Sequence, residues 1–322
     1  MTAFLIRRLG QALLVLWLMS FVTYGLLVLM PGDPVDLMLA GDPNVTAADV
    51  TRLRALHGLD RPFIERYGEW LGNAVQGDFG YSRLFAAPVT DILAPRLLNS
   101  LLLMGLAFAL AVAIALPASV LAARHPGSLA DRAINLFCFA GISVPPFWLA
   151  LLLILLFAVA LGLFPASGMA TIGDGGLADR AAHLVLPVLT LAAASVAQYT
   201  RHGRAAMVEV LREDYIRTAR AKGARERTIL WRHGFRNALI PLVTIMALDF
   251  GALFSGALIT ETMFAYLGIG KTIYDAVMGN DFNLALVGLL LATAVTLAAN
   301  IAADVAYGLI DPRIRLTGRK SA

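Results

Sequence analysis

Residues Leu98–Ala123 read LNSLLLMGLAFALAVAIALPASVLAA and contain no charged side chain in 26 residues. A helix rises about 1.5 Å per residue, so about 20 apolar residues cross the hydrocarbon layer of a bilayer. Lipid offers no partner to unpaired backbone groups, and this stretch is therefore predicted to be a membrane-spanning helix. The whole chain has the same character, because 59% of its 322 residues are hydrophobic and 15% are charged, with a mean hydropathy of +0.74. An ordinary cytosolic enzyme would carry about 25% charged residues.

Five further apolar runs have the length of a span. They lie at Leu9–Met30, Ile134–Phe164, His183–Thr200, Ala238–Thr260 and Leu284–Ile310. The first run is longer than the apolar region of a signal peptide, so we interpret it as a retained span. Pro145 and Pro146 fall inside the third run and are expected to kink it, since proline removes a backbone hydrogen bond. The sequence thus predicts an all-α integral membrane protein with six transmembrane helices.

The distribution of basic residues predicts the orientation of these spans. Segments 1–8, 124–133, 201–237 and 311–322 together hold 18 Lys and Arg, whereas segments 165–182 and 261–283 hold 2. Because short basic loops stay in the cytoplasm, both termini are expected there. The predicted organisation is an N-terminal segment and first span at 1–30, an external loop at 31–97, and a permease core of five spans at 98–322. A cytoplasmic loop at 201–237 interrupts that core.

This cytoplasmic loop carries an ordered pattern. Its apolar residues recur at helical spacing through Met207, Leu211, Tyr215 and Ala219, and a second helical stretch follows. Gly223 lies between the two stretches and suits the left-handed position that ends many helices. The pattern predicts a helix, a glycine turn and a second helix. Three interpretations stay open from the residues alone: a solvated basic linker, a patch that attracts anionic lipid, and a docking element for a cytosolic partner.

Two parts of this loop resemble the signature loop of ABC importer permeases, in the form found in the dipeptide/oligopeptide/nickel permease family. They are residues 215–223, YIRTARAKG, and residues 236–241, RNALIP. Arg217 and Thr218 replace the Glu-Ala of the general pattern, while Ala219 and Gly223 match it. Other pieces of the chain resemble the family in the expected order, namely MPGDP at 30–34, NSL at 99–101, SVPPFW at 143–148, LFPASG at 163–168, HLVLP at 183–187, ETMF at 261–264 with GIG at 268–270, and DPR at 311–313. The short N-terminus and long first outer loop resemble the B-type subunit.

The resemblance implies a fold like the transmembrane domain of type I ABC importers, with this chain as half of a permease pair in the bacterial cytoplasmic (inner) membrane. Its implied partners are a second, C-type permease, one or two cytosolic ATPase subunits and a periplasmic or lipid-anchored substrate-binding protein. ATP and Mg²⁺ would bind to the ATPases, since the chain has no phosphate-loop motif. The chain itself is expected to bind no cofactor and to be a transport subunit, not an enzyme. The implied cargo is a di- or oligopeptide, with nickel, glutathione or another small solute as alternatives.

The resemblance also implies which residues act. Glu213 to Lys222 would form a coupling helix that rests on an ATPase, and Gly223 would set the angle of the next helix. The expected coupling residues are Glu213, Tyr215, Ile216, Ala219, Lys222 and Gly223. Packing on the membrane domain is an equally weighted alternative for the side chains of Tyr215 and Ile216.

Asp249 is the separate candidate within a span, because ionisable residues in hydrocarbon often have a function. It is expected to line a polar path or to pair with another helix. A proton-coupled secondary transporter, in which Asp249 would relay protons, is the competing class of protein. The five histidines show no metal-ligand spacing, no nucleophile and base stand together, and no metal, catalytic site or nucleic-acid partner is predicted. Apart from its protein partners, the chain is expected to contact membrane lipid.

Overall fold

The structure is a computed structural model that describes residues 2–29, 51–52, 55 and 60–310. Most of these residues are helical. In chain order the helices are α1 (Thr2–Val28), α2 (Phe63–Val75), α3 (Val89–Arg124), α4 (Leu129–Ser143), α5 (Pro146–Leu153), α6 (Leu177–Val210), α7 (Asp214–Ala221), α8 (Glu226–Thr228), α9 (Arg236–Met263), α10 (Ile269–Met278) and α11 (Phe282–Ile310). Two π-helical stretches, Ile154–Ala160 and Ile229–Phe235, continue α5 and α8. A short antiparallel pair, β1 (Tyr81–Ser82) and β2 (Ala87–Pro88), precedes α3.

Long helices underlie five of the six predicted spans, although Met30, which ends the first, lies outside the described residues. Among the described residues, four helices are long and apolar enough to cross a membrane: Leu5–Val28, Val89–Arg124, Leu177–Val210 and Phe282–Val305. A broken pair of helices would make a fifth span. The predicted span Ala238–Thr260 lies within α9, which has 28 residues. These five helices are longer than the apolar runs within them, because a run marks only the part of a helix suited to hydrocarbon.

The third predicted span is broken rather than continuous. Leu129–Ser143 and Pro146–Ala160 are bent by 105° relative to each other. Val144 takes an extended conformation between them, as a residue before proline prefers, and Pro146 opens α5 where its missing N–H costs no helical bond. The expected kink is confirmed, but the single run Ile134–Phe164 is corrected to two helices that meet at the proline pair.

Contacts divide the chain into two compact units. One comprises Thr2–Leu98 and Lys271–Ala294, and the other comprises Asn99–Gly270 and the chain from Val295. Of the predicted external loop 31–97, residues 31–50, 53–54 and 56–59 lie outside the described part.

An aromatic cluster and a buried aspartate organise the unit that contains α1. Tyr67 of α2 packs edge-on against Phe21 and Tyr24 of α1, with ring centroids 5.1 and 5.6 Å apart. Its hydroxyl lies 2.8 Å from Ser20 Oγ, so the polar end of the ring is satisfied. Asp281, just before α11, is 2% exposed and accepts hydrogen bonds from Ser82 Oγ and from the backbone N–H groups of Leu84 and Leu284.

Candidate coupling site

The predicted coupling helix is α7, which begins after a three-residue turn at the end of α6. Glu213 is its N-cap residue and Lys222 its C-cap residue. Asp214 lies in the first turn and Arg220 in the last, which is the arrangement that the helix dipole favours. Asp214 also accepts a hydrogen bond from Arg217 at 2.9 Å. The helical pattern read from the sequence is thus present in the structure with nearly the predicted bounds.

Gly223 closes α7 in the way that its position predicts. Its φ is +76°, in the left-handed region that glycine adopts at no steric cost. The Gly223 N–H donates to Arg220 O at 2.9 Å, and the Ala224 N–H donates to Ala219 O at 3.1 Å. These two bonds form a Schellman motif, which satisfies carbonyls at the end of the helix. The direction in which the chain leaves α7 is therefore fixed by backbone hydrogen bonds.

The two apolar candidates on α7 face different surroundings. Ile216 is fully buried within the chain, whereas Tyr215 is 42% exposed. The Tyr215 hydroxyl accepts a hydrogen bond from Asn237 Nδ2 at 3.0 Å, which joins α7 to the first turn of α9. Ile216 therefore belongs to the packing that supports α7, and Tyr215 offers a surface. Ala219 is half-buried, while Glu213, Lys222 and Gly223 are exposed.

A small buried cluster holds α3, α6, the second π-helical stretch and α9 together. It joins Val120 and Ala123 of α3, Met207 of α6, Leu230 of the π-helical stretch and Ala238 of α9. Beside this cluster, an open cavity of about 520 Å³ extends along the end of α6 to the start of α7. Its lining residues are Arg204, Ala205, Val208, Glu209, Arg212, Glu213 and Asp214. Of the coupling candidates, Glu213 lines this cavity.

Asp249 pairs with a neighbouring helix. It is half-buried on α9, and its Oδ2 accepts hydrogen bonds from Ser195 Oγ and Tyr199 OH of α6, both at 2.7 Å. Both donors are buried, with Tyr199 fully so and Ser195 at 3% exposure. The Tyr199 ring meets Phe108 of α3 edge-on at 6.2 Å. Of the two roles expected for Asp249, pairing with another helix is the one that these contacts form.

Replacing Asp249 with alanine should therefore lower the thermal unfolding midpoint of the purified chain. It leaves two buried hydroxyl donors without their acceptor, and each such loss costs about 1–3 kcal/mol. Asp249→Asn retains one carbonyl oxygen and should lower the midpoint less. Tyr199→Phe is the matched control, because it removes one hydroxyl donor and leaves the Asp249 carboxylate in place. An equal midpoint for Asp249→Ala and the native chain would contradict a structural role for these bonds.

A second polar cluster joins several of the segments that carried the family resemblance. Glu261 at the end of α9 is fully buried and accepts a hydrogen bond from Ser100 Oγ of α3. Ser100 Oγ in turn accepts the Ile269 N–H at 2.8 Å. Asn99 Nδ2 donates to Leu267 O at 2.8 Å. These residues were not predicted as a site from the sequence, although Glu261 follows an apolar run and Gly268-Ile269-Gly270 comes shortly after it.

Tyr266 completes this second cluster. Its hydroxyl donates to Asn99 O at 3.1 Å. Burial raises the pKa of Tyr266, and the nearby Glu261 carboxylate raises it further, to about 12. The hydroxyl therefore remains protonated, and able to donate, throughout the physiological pH range. Together these bonds hold the turn that follows α9 against Asn99 and Ser100 of α3, within the unit that contains Asn99–Gly270.

These features describe a helical membrane protein in which a short, capped helix lies between two long ones. The chain belongs to the family described as "Binding-protein-dependent transport system inner membrane component", which matches residues 115–316. Residues 1–97 match the corresponding N-terminal family, "Binding-prot-dependent transport system membrane comp, N-term". The predicted family is therefore confirmed, and the chain is a multi-pass membrane component of a transport system, not an enzyme.

Curated relatives extend along almost the whole chain. It is 38% identical to the oligopeptide transport system permease protein AppB of Bacillus subtilis (strain 168), across 98% of this chain and 99% of that protein. It is 37% identical to the di/tripeptide transport system permease protein DppB of Pseudomonas aeruginosa (strain UCBPP-PA14), with the same coverage of both. A crystal structure of an amino acid ABC transporter with histidines is similar in fold, with a TM-score of 0.51 and 14% identity over 68% of this chain and 94% of that chain.

Among the described residues, no three His, Cys, Asp or Glu side chains gather where they could hold a metal ion. The structure brings Glu213, Tyr215, Ile216, Ala219, Lys222 and Gly223 together on α7 and its two caps. Asp249 lies apart from them, against the buried face of α6.

Proposed function

We propose that this chain is the B-type permease subunit of an ATP-driven importer of di- and oligopeptides. It has six spans with both termini in the cytoplasm of a bacterium, and it pairs with a C-type permease in the inner membrane. One or two cytosolic ATPases bind ATP and Mg²⁺, and a periplasmic or lipid-anchored protein delivers the cargo. The names of the two relatives above support a peptide cargo, since both proteins are named for peptide transport.

The observation that carries the proposal is the construction of α7. The helix has eight residues, a buried Ile216 on one side and exposed polar and basic residues on the other. Its N-terminus joins α6 through a three-residue turn, and Gly223 fixes its C-terminal exit. A force applied by a docked ATPase would therefore reach α6 and α9 as a rigid-body movement rather than be absorbed by a loop.

The function is tested by purifying the tagged chain from its native membrane in mild detergent and identifying the proteins that accompany it by mass spectrometry. A second permease of the same family and at least one ATPase with a phosphate-loop motif are expected. The complex is then reconstituted into vesicles with ATP inside and binding protein outside. Uptake of labelled peptide, with nickel and glutathione as competing cargo, identifies the substrate. A chain that transports alone and stops when the proton gradient collapses would contradict the proposal and favour the secondary transporter.

The two apolar residues of α7 are expected to respond differently to truncation. Ile216→Ala removes a fully buried side chain and should destabilise the permease by about 2–4 kcal/mol, which a lower unfolding midpoint would report. Tyr215→Ala should change the midpoint little but weaken association with the ATPase, measured by co-purification. Tyr215→Phe keeps the ring and serves as the control for the hydroxyl alone. If Tyr215→Ala leaves association unchanged, the exposed face of α7 is not the docking surface.

A further inference from the structure

An ion pair between Arg204 and the buried carboxylate of Asp131 connects α6 with the first turn of α4. Arg204 Nε donates to Asp131 Oδ1 at 2.5 Å, and one Arg204 Nη donates to Asp131 Oδ2 at 2.7 Å. The Asp131 side chain is 4% exposed and the Arg204 side chain 27%. A planar guanidinium that binds both oxygens of a carboxylate fixes their relative orientation as well as their distance. This contact therefore resists both sliding and rotation of the two helices.

Asp131 is itself held firmly in the first turn of α4. The Gly127 N–H donates to its Oδ2 at 2.8 Å, and Asn135 Nδ2 donates to its Oδ1 at 2.7 Å. Ser128, the N-cap residue of α4, accepts the Asp131 N–H. A carboxylate at a helix N-terminus is also favoured by the helix dipole. Any displacement of the Arg204 guanidinium therefore acts on the backbone of α4 and not on a freely rotating side chain.

Arg204 also lies close to the start of α7 along the chain and around one cavity. It lies on α6 nine residues before Glu213, and it lines the same cavity as Glu213 and Asp214. The adjacent Gly203 has no room for a side chain, because a Cβ there would lie 2.8 Å from Ser119 of α3 and 3.3 Å from Leu242 of α9. The end of α6 is thus pressed against two helices at Gly203 and joined by charge to a third at Arg204.

We propose that the Asp131–Arg204 ion pair transmits the displacement of α7 to α4, the first half of the broken third span. Arg204 and Asp131 are positioning residues in this role, since they act through the helices that they join. Apolar contacts such as those around Met207 keep helices together but tolerate sliding, whereas the two-point ion pair does not. The inference rests on the proposed function, because it requires a force applied at α7.

The test compares ATP hydrolysis with uptake in the complete reconstituted complex of both permeases, the ATPases and the binding protein. Arg204→Lys keeps the charge but loses the second hydrogen bond of the fork. ATP hydrolysis stimulated by peptide-loaded binding protein should stay within about twofold of native, while peptide transported per ATP falls by roughly tenfold, which corresponds to about 1.4 kcal/mol of lost coupling. Arg132→Lys is the matched control, because Arg132 is an exposed neighbour of Asp131, and it should leave the ratio unchanged.

Asp131→Glu is the second variant. It keeps the carboxylate but moves it outward by one methylene. An intermediate ratio of transport to hydrolysis is expected for it. An unchanged ratio of peptide transported to ATP hydrolysed in both variants would overturn the inference. A parallel loss of protein level, hydrolysis and uptake would also overturn it, because the ion pair would then be needed only for folding. Failure of the native complex to couple hydrolysis to uptake would instead overturn the proposed function, so the two failures are distinguishable.

Discussion

Replacing Gly223 with proline is expected to reduce ATP-driven peptide uptake by roughly tenfold or more, while the permease still inserts into the membrane. A tenfold loss corresponds to about 1.4 kcal/mol. Proline fixes φ near −65° and has no N–H, whereas Gly223 has a φ of +76° and donates to Arg220 O. The substitution therefore removes both the left-handed backbone conformation and the N–H donor that the Schellman motif requires at this position. The exit from α7 loses its fixed direction, and movement of α7 no longer reaches α9 as a rigid displacement.

The space around Gly223 makes a graded series informative. A Cβ at this position would meet nothing within 4 Å, so any effect comes from the backbone conformation and not from a clash. Gly223→Asn should retain most uptake, because asparagine tolerates the left-handed region, and Gly223→Ala should lie between Asn and Pro. Uptake per inserted permease, quantified by immunoblot of membranes, is the measurement. Native uptake by Gly223→Pro at a normal protein level would show that the angle of this turn does not matter for transport.

Much of this site was accessible from the sequence because its signals are local. Apolar spacing and a single glycine predicted α7 and its end, and the structure places the helix at Asp214–Ala221 with Gly223 in the left-handed conformation. Long uncharged runs likewise predicted the long helices, since length and hydropathy suffice for that inference. The role of α7 in coupling stays a prediction, for which its geometry provides the support described above.

Other features depend on residues that meet only in three dimensions. Nothing near Asp131 in the sequence indicates Arg204, which lies 73 residues away, and Ser100 and Glu261 are 161 residues apart. A periodicity analysis assigns each helix its apolar stripe but does not pair one helix with another. The same limit applies to Asp249, for which the sequence left a path and a helix partner open until Ser195 and Tyr199 were found beside it. The two prolines indicated a kink but not its size of 105°.

The largest loss of folded protein is expected from Gly268→Ala. A Cβ at Gly268 would overlap the Glu261 carboxyl group, which is fully buried and held by Ser100 Oγ. The overlap is not easily relieved. Moving the Glu261 side chain breaks its hydrogen bond with Ser100, and moving the Gly268 backbone disturbs the bond from the Ile269 N–H to the same Ser100 hydroxyl. Overpacking of this kind costs about 1–3 kcal/mol, and exposure of a broken polar cluster adds to it. Membrane protein level and the thermal unfolding midpoint should both fall.

A double-mutant cycle separates the clash from a general intolerance of alanine at this turn. Glu261→Ala alone leaves the Ser100 hydroxyl without its acceptor and should itself destabilise the chain. If the clash causes the loss in Gly268→Ala, adding Glu261→Ala removes the overlapping atoms, and the double variant should be less destabilised than the sum of the two single variants. Gly105→Ala is the control, because a Cβ at that helical position of α3 would meet nothing within 4 Å. Strict additivity of the two changes would instead assign the loss at Gly268 to its backbone, and the packing of the turn against Glu261 would not be what makes glycine necessary there.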